Sequence, residues 1–123
     1  MVLDLKIKIK KDKGVPVVSL NGEIDVYTYP QLNETMEKII EEGNFNIVIN
    51  LEEVRYIDST GLGVLANSAN KVLGNKGQLH IVCTRPQVRK IFLVSGLMSK
   101  NLTLFDTEEM ALKEFKKSAA KVA

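Results

Sequence analysis

The stretch Tyr56-Ile57-Asp58-Ser59-Thr60-Gly61-Leu62-Gly63 sets a carboxylate beside two hydroxyls, with two glycines close behind. Serine, threonine and aspartate are the side chains that cap helix N-termini, because their oxygens accept hydrogen bonds from backbone N–H groups that lack a partner. One of Asp58, Ser59 and Thr60 is enough for a cap, and three in a row exceed that need. A serine at a helix mouth also suits a phosphoryl group, since free N–H groups and the helix dipole favour an anion there. Phosphorylation would add about −1.5 to −2 charges. That charge would stabilise the helix end and disrupt a flat interface docked on it. Gly61 and Gly63 lack side chains, so a partner's backbone or active site can approach closely. Asp58 is placed to orient the hydroxyl or to repel the added phosphate. Two readings of the turn stand together: a helix cap, and a phosphorylation switch at Ser59.

Enzymatic readings of the same residues are poorer. A serine nucleophile on a strand-to-helix elbow needs G-x-S-x-G, and Ile57 stands where the first glycine belongs. His80 lies in a strand-like run, where a packed residue is the expectation rather than a general base. Gly61, Gly63 and Ala66 match G-x-G-x-x-A ahead of a helix. However, Glu52 to Thr60 separate them from the preceding apolar run, and no acid follows the next one at Cys83-Thr84 to meet a ribose. No His, Cys, Asp or Glu set has metal-ligand spacing. No catalytic residue, cofactor or metal is expected.

These residues must be held by a scaffold, and the chain's patterning describes one. Val2 to Lys10 alternates: Leu3, Leu5, Ile7 and Ile9 point one way, and Asp4 and the lysines the other, as in a strand with one wet face. The lysines discourage edge-to-edge pairing. Asp12-Lys13-Gly14 is a turn, and Pro16 to Asn21 is the second strand of a hairpin. Thr28-Tyr29-Pro30 opens a helix whose inner face is Leu32, Met36, Ile39 and Ile40, and Gly43 ends it. Phe45 to Leu51 is a strand apolar on both faces, and Glu52 to Ile57 reads as a connection. From Ser59 to about Asn75, Leu62, Leu65, Ala66, Ala69, Val72 and Leu73 share a helical face, stopped by Gly74-Asn75-Lys76-Gly77. Leu79 to Cys83 is a buried strand. Pro86 opens a third helix with Val88, Ile91 and Phe92 inward. Leu102 to Phe105 is a short strand. Asp106 and Glu109 resemble a capping box for a last helix, which runs to about Ala119 with Ala111, Leu112 and Phe115 inward.

The order is β-β-α-β-α-β-α-β-α. It predicts an α/β domain with a mixed sheet, an N-terminal hairpin plus parallel strands, and four or so helices on right-handed crossovers. Sites on such a sheet form at the edge where strand ends and helix N-termini meet. Ile91-Phe92-Leu93-Val94 with Leu97 and Met98 is more apolar than one helix face needs. A wide core face is the expectation, with a partner-binding patch beside Ser59 as the alternative. Tyr27 and Tyr29 either pack on the sheet edge or flank a docking surface.

The 123 residues fit one domain, residues 1–123, large enough for a core without staples. A net charge of +2 gives no argument for nucleic acid or a membrane surface. Cys83 is the sole cysteine, which excludes an internal disulfide and fits a reducing, cytoplasmic setting. No apolar run has the length of a membrane span, and the N-terminus does not read as a signal peptide.

Asp58-Ser59-Thr60-Gly61-Leu62-Gly63, together with Gly22-Glu23-Ile24-Asp25-Val26-Tyr27 upstream and Ser95-Gly96-Leu97 downstream, resembles the bacterial anti-sigma-factor antagonists of the STAS domain family. The resemblance covers nearly the whole chain. It implies that Ser59 is phosphorylated by an anti-sigma factor that is itself an ATP-dependent serine kinase. It implies further that the unphosphorylated protein binds that kinase and frees the sigma factor, and that a serine phosphatase resets the switch. Asp25 and its loop are then part of the kinase-facing surface, with Tyr27, Asp58, Thr60, Gly61, Leu62 and Gly63 around Ser59. Thr60 is not expected to be the main acceptor. The first strand starts almost at once, so no fused sensor or transporter is expected, and the free protein is expected to be a monomer. The rival readings are a STAS scaffold or regulatory subunit of a larger signalling or transporter complex, and a small nucleotide-binding protein.

Overall fold

A computed structural model of the chain describes residues 4–96 and 102–122, with side chains described as far as Phe115. The elements run β1 (Lys6–Asp12), β2 (Val15–Ile24), α1 (Tyr29–Glu41), β3 (Asn46–Ile57), α2 (Ser59–Gly74), β4 (Gln78–Val82), α3 (Pro86–Ser95), β5 (Leu102–Phe105) and α4 (Glu108–Val122). This is the order expected from the patterning. Val2, Leu3, Leu97 and Met98 lie outside the described residues.

The strands form one sheet in the order β1-β2-β3-β4-β5. The β1–β2 pair is antiparallel, and every later pair is parallel. Lys13 and Gly14, both with positive φ, make the two-residue hairpin loop between paired Asp12 and Val15. Positive φ at both loop positions matches the right-handed twist of the strands. Pro16 sits just before the β2–β3 ladder begins at Val17, so its missing N–H removes nothing from that ladder.

Each parallel step moves the same way across the sheet, so right-handed crossovers put α1, α2 and α3 on one face. There Leu32, Met36, Leu65, Val72, Val88 and Phe92 pack against Leu20, Ile47, Ile49, Leu79 and Ile81. Helix α4 covers the other face, where Ala111 and Phe115 meet Val17, Val48 and Val82. Strand β3 therefore sends Ile47 and Ile49 to one core and Val48 to the other, which explains its unbroken apolar run.

Four local expectations are corrected. Glu52 to Ile57 is strand, not connection. It pairs with β2 from Asn21↔Glu53 to Ile24↔Ile57, with one register irregularity just before Asn21 and one between Gly22 and Glu23, while its pairing with β4 stops at Asn50. A strand paired on one side, with residues exposed between buried ones, has little apolar content to betray it. Ile9 does not reach the core and is 52% exposed in the middle of the edge strand. Leu93 and Val94, 61% and 75% exposed, are not part of a wide core face, because only Val88 and Phe92 of α3 are buried. They lie in the last turn of α3, whose first turn, not its last, adjoins the strand ends. Thr107, not Asp106, caps α4: its Oγ1 accepts from Met110 N–H at 3.1 Å. The Asp106 carboxylate instead pairs with Arg89 at 3.0 Å.

Candidate functional site

The parallel strands end together at one edge, and the N-termini of the helices that follow them open there. The two longest strands, β2 and β3, project furthest and carry Asp25 and Asp58 directly beyond their last paired residues, Ile24 and Ile57. Asp58 N–H donates to the Ile24 carbonyl at 3.0 Å, which fixes the two turns side by side.

Asp58 is the cap of α2. Its backbone is extended, and its Oδ1 accepts from Thr60 N–H at 2.9 Å and Gly61 N–H at 3.3 Å. Thr60 Oγ1 donates to the same oxygen. Partial burial would push the Asp58 carboxyl up, but the hydrogen bonds from the Thr60 hydroxyl and the Gly61 and Thr60 amides outweigh it and hold the carboxyl below its ordinary range. Thr60 is half-buried and its hydroxyl is taken. Ser59 is exposed at the first helical position. Among the described residues no hydrogen bond engages its hydroxyl. The three adjacent polar residues thus divide the work: Asp58 caps, Thr60 braces the cap, and Ser59 is presented to solvent. Asp58 does not orient the Ser59 hydroxyl, and it already occupies two first-turn amides, those of Thr60 and Gly61.

The two glycines also part company. A side chain on Gly61 would run into Ile24 and Ile57, both buried, so the close approach it permits is that of the helix to its own sheet. Gly63 is exposed and has nothing near the position of a Cβ. Leu62 is half-buried against the core. The strand-to-helix passage is direct, Ile57 to Ser59, so separation from the strand does not count against a dinucleotide fingerprint. The helix position of Gly61 and Gly63 does, because neither lies in a phosphate-cradling turn ahead of the helix.

Beside Ser59, Asp25 Oδ1 accepts from Tyr27 N–H at 2.9 Å and Thr28 N–H at 3.1 Å. The loop presents Val26 and Tyr27, 54% and 82% exposed. Tyr29 turns the other way and packs on the core. Tyr56, opposite Glu23, is 48% exposed and adds a third apolar surface at this edge. Val26 and Tyr56 stand in the two motifs with no expected role of their own, although an aromatic directly before an apolar strand end and a polar turn is a usable signal. The sequence shows Thr28 only as part of the opening of α1, and the Asp25-x-x-Thr28 spacing is the signal for its bond to the Asp25 turn.

Cys83 is buried, and burial raises its thiol pKa, as for a packed hydrophobe. His80 is buried too, stacked on Phe115 at 3.7 Å with Nδ1 against the Ala111 carbonyl at 2.7 Å. It serves the α4 core and is no base for Ser59. A groove lined by Asp12, Val15, Leu112 and Phe115 and another lined by Ile9, Pro16, Gln31 and Ile39 both exclude Ser59. Among the described residues no group of His, Cys, Asp and Glu could hold a metal ion, and no helix is long and apolar enough to cross a membrane.

Residues 6–111 match the STAS domain. The chain belongs to the STAS domain family. An anti-sigma-B factor antagonist of Staphylococcus aureus is 36% identical over 95 residues, 77% of this chain and 88% of that protein. The crystal structure of an anti-sigma factor antagonist from Mycobacterium paratuberculosis superposes with a TM-score of 0.84 at 29% identity, covering 92% of this chain and 95% of that one. The Bacillus cell fate determinant SpoIIAA in its phosphorylated form shares the fold, with a TM-score of 0.69 at 24% identity over 89% of this chain and 99% of that one.

Proposed function

We propose that this protein is an anti-sigma factor antagonist, a regulatory binding protein and not an enzyme, whose single STAS domain, residues 1–123, acts in the cytoplasm. In its unphosphorylated form it binds an anti-sigma factor that is an ATP-dependent serine kinase and so releases the sigma factor. Phosphorylation of Ser59 by that kinase ends the complex, and a serine phosphatase restores it. The observation that carries this reading is the division of roles at the α2 N-terminus. Of three adjacent polar side chains, Ser59 alone offers a free and exposed hydroxyl. ATP, magnesium and the base belong to the kinase, and this chain supplies a hydroxyl and a surface.

The surface comprises Asp25 and Tyr27 on one turn and Asp58, Thr60, Leu62 and Gly63 on the other, with the Gly61 backbone between them. Val26 and Tyr56 extend it. Its apolar members give contact area, and its carboxylates make it sensitive to charge. A phosphate on Ser59, an exposed residue, stands next to the Asp58 carboxylate, whose cap already holds the Thr60 and Gly61 amides, and its charge enters the interface. Like-charge repulsion and desolvation then break the complex with no refolding.

Intact mass after incubation with Mg-ATP and candidate anti-sigma kinases of the same genome tests the reading. One added phosphate in the wild type, absent in Ser59→Ala, is the expected result. Tight binding without phosphate transfer would point to a scaffold subunit of a larger STAS assembly, and micromolar binding of ATP or GTP by the chain alone to a nucleotide-binding protein.

A further inference from the structure

Thr28 precedes α1 as its N-cap, where a threonine side chain ordinarily accepts a hydrogen bond from the first turn. Here it makes no such bond. Its hydroxyl turns back into the loop, accepting from Asp25 N–H at 3.0 Å and donating to the Glu23 carbonyl at 2.8 Å. Asp25 answers from the other side, since its Oδ1 accepts from the amides of Tyr27 and Thr28. Its carbonyl also accepts from Thr28 and Tyr29 N–H, at 3.2 and 2.8 Å. Each of the two side chains therefore holds the backbone of the other. Thr28 is 5% exposed, while Tyr27, the residue before it, is 82% exposed.

The arrangement closes a tight knot directly beneath the most exposed aromatic of the strand-end edge. The base of the knot is joined to the Ser59 turn through Asp58 N–H and the Ile24 carbonyl. A helix cap would need only one bond to the first turn of α1. The bonds actually made fix Glu23, Asp25 and Tyr27; of these only Asp25, whose carbonyl takes Tyr29 N–H, also serves the start of α1. An exposed side chain on an ordered tip loses less freedom when a partner closes over it than the same side chain on a mobile tip.

We infer that Thr28 is a positioning residue for recognition: its hydroxyl, locked with Asp25, holds Val26 and Tyr27 in the orientation that the anti-sigma kinase grips while it phosphorylates Ser59. The inference rests on the function proposed above and assigns Thr28 a part in it. Loss of the lock weakens capture of the substrate and leaves phosphoryl transfer itself intact, because Ser59 and the α2 cap are built from other residues.

The test is steady-state phosphorylation of Thr28→Val and Thr28→Ser by the kinase, with amide hydrogen exchange and thermal unfolding of each variant. Valine keeps the shape and removes the hydroxyl; serine keeps the hydroxyl. Thr28→Val is expected to raise KM by about tenfold with kcat within about twofold, and to speed exchange of the Tyr27 and Thr28 amides, with Thr28→Ser close to wild type in all of these. A lowered melting temperature with KM unchanged overturns the inference, because it leaves Thr28 a stability role only. So does a serine variant as impaired as valine. If Thr28→Val does not fold, Asp25→Ala opens the same lock from its half-exposed side, and faster Tyr27 exchange with an unchanged KM is again fatal. No phosphate on wild type with any kinase overturns the proposed function itself, and this inference with it.

Discussion

Gly61 and Gly63 are two residues apart in one helix, and the same substitution at each is expected to have opposite signs. A Cβ on Gly61 would lie 2.5 Å from Ile24 Cγ2 and 2.8 Å from Ile57 Cγ1. Carbon atoms prefer about 3.5–4.0 Å, so the overlap is roughly an ångström. Both isoleucines are 0–1% exposed, so neither can relieve the overlap by turning into solvent. Overpacking of this kind costs about 1–3 kcal/mol. Against it stands the helix preference for alanine over glycine, about 0.8–1.0 kcal/mol at an interior position and less in the first turn. Packing wins, and Gly61→Ala is expected to destabilise by about 1–2 kcal/mol. Nothing lies within 4 Å of a Cβ on Gly63. There only the propensity and the unfolded-chain entropy act, and Gly63→Ala is expected to stabilise by about 0.5–1 kcal/mol. For a chain of this size each kcal/mol moves the melting temperature by about 3–6 °C, so the two variants should fall on opposite sides of wild type. Urea unfolding with a common m-value gives the free energies directly. A Gly61→Ala variant as stable as wild type would mean that α2 does not pack against the β2 and β3 ends as described, and the placement of Ser59 would fail with it.

Three further outcomes follow from the same geometry. Asp58→Ala removes the α2 cap and should cost about 0.5–2 kcal/mol at pH 7 by urea unfolding. Because its hydrogen bonds depress the Asp58 pKa, the carboxylate's contribution is present above the unfolded value of about 3.9 and is lost as pH falls through the lower folded value, so wild type and Asp58→Asn should begin to converge below about pH 4 and meet only below the folded pKa. Burial lowers the His80 pKa, with the Ala111 carbonyl and the Glu114 charge opposing it, so the unfolded chain binds its proton first. Stability should therefore decline as pH falls below about 6.5 and level off below the folded pKa, and the His80→Gln variant should lack that decline in a urea titration from pH 7 to 5. Leu93→Ser and Val94→Ser, on the exposed turn of α3, should each change stability by less than about 0.5 kcal/mol, whereas burial of either in the core would show as a loss several times larger.

Much of the architecture was legible because burial imposes periodicity. The lysine alternation of β1, the doubly apolar Ile47-Val48-Ile49 and the caps and glycines around α1 and α2 each named their element, whereas the strand order, which puts α1, α2 and α3 on one face, is set by long-range pairing that no local pattern carries. The extension of β3 through Glu53, Arg55 and Tyr56 was not legible, since it is paired on one side only and most of its alternating side chains need no core. At the site, the run Asp58-Ser59-Thr60 announced a helix mouth but could not say which residue caps it. That assignment depends on where one carboxylate oxygen lies relative to two amides and a hydroxyl. Thr28 was hidden for a similar reason: its type and place suggest a cap, and only the direction of its hydroxyl shows that it closes the Asp25 turn instead. Gly61 and Gly63 look alike in the sequence and differ because the helix phase turns one toward Ile24 and Ile57 and the other to solvent.

The proposed switch is a single phosphate on an exposed serine that breaks a protein complex without rearranging this fold. The direct test is the affinity of the anti-sigma kinase for the unmodified protein and for the same protein fully phosphorylated on Ser59, with amide NMR spectra of both forms recorded alone. A fall of about a hundredfold or more in affinity, with amide shifts confined to the Asp25 turn and the first two turns of α2, is the predicted result. Equal affinity of the two forms, or a loss of affinity accompanied by shifts throughout the sheet and α4, would contradict it.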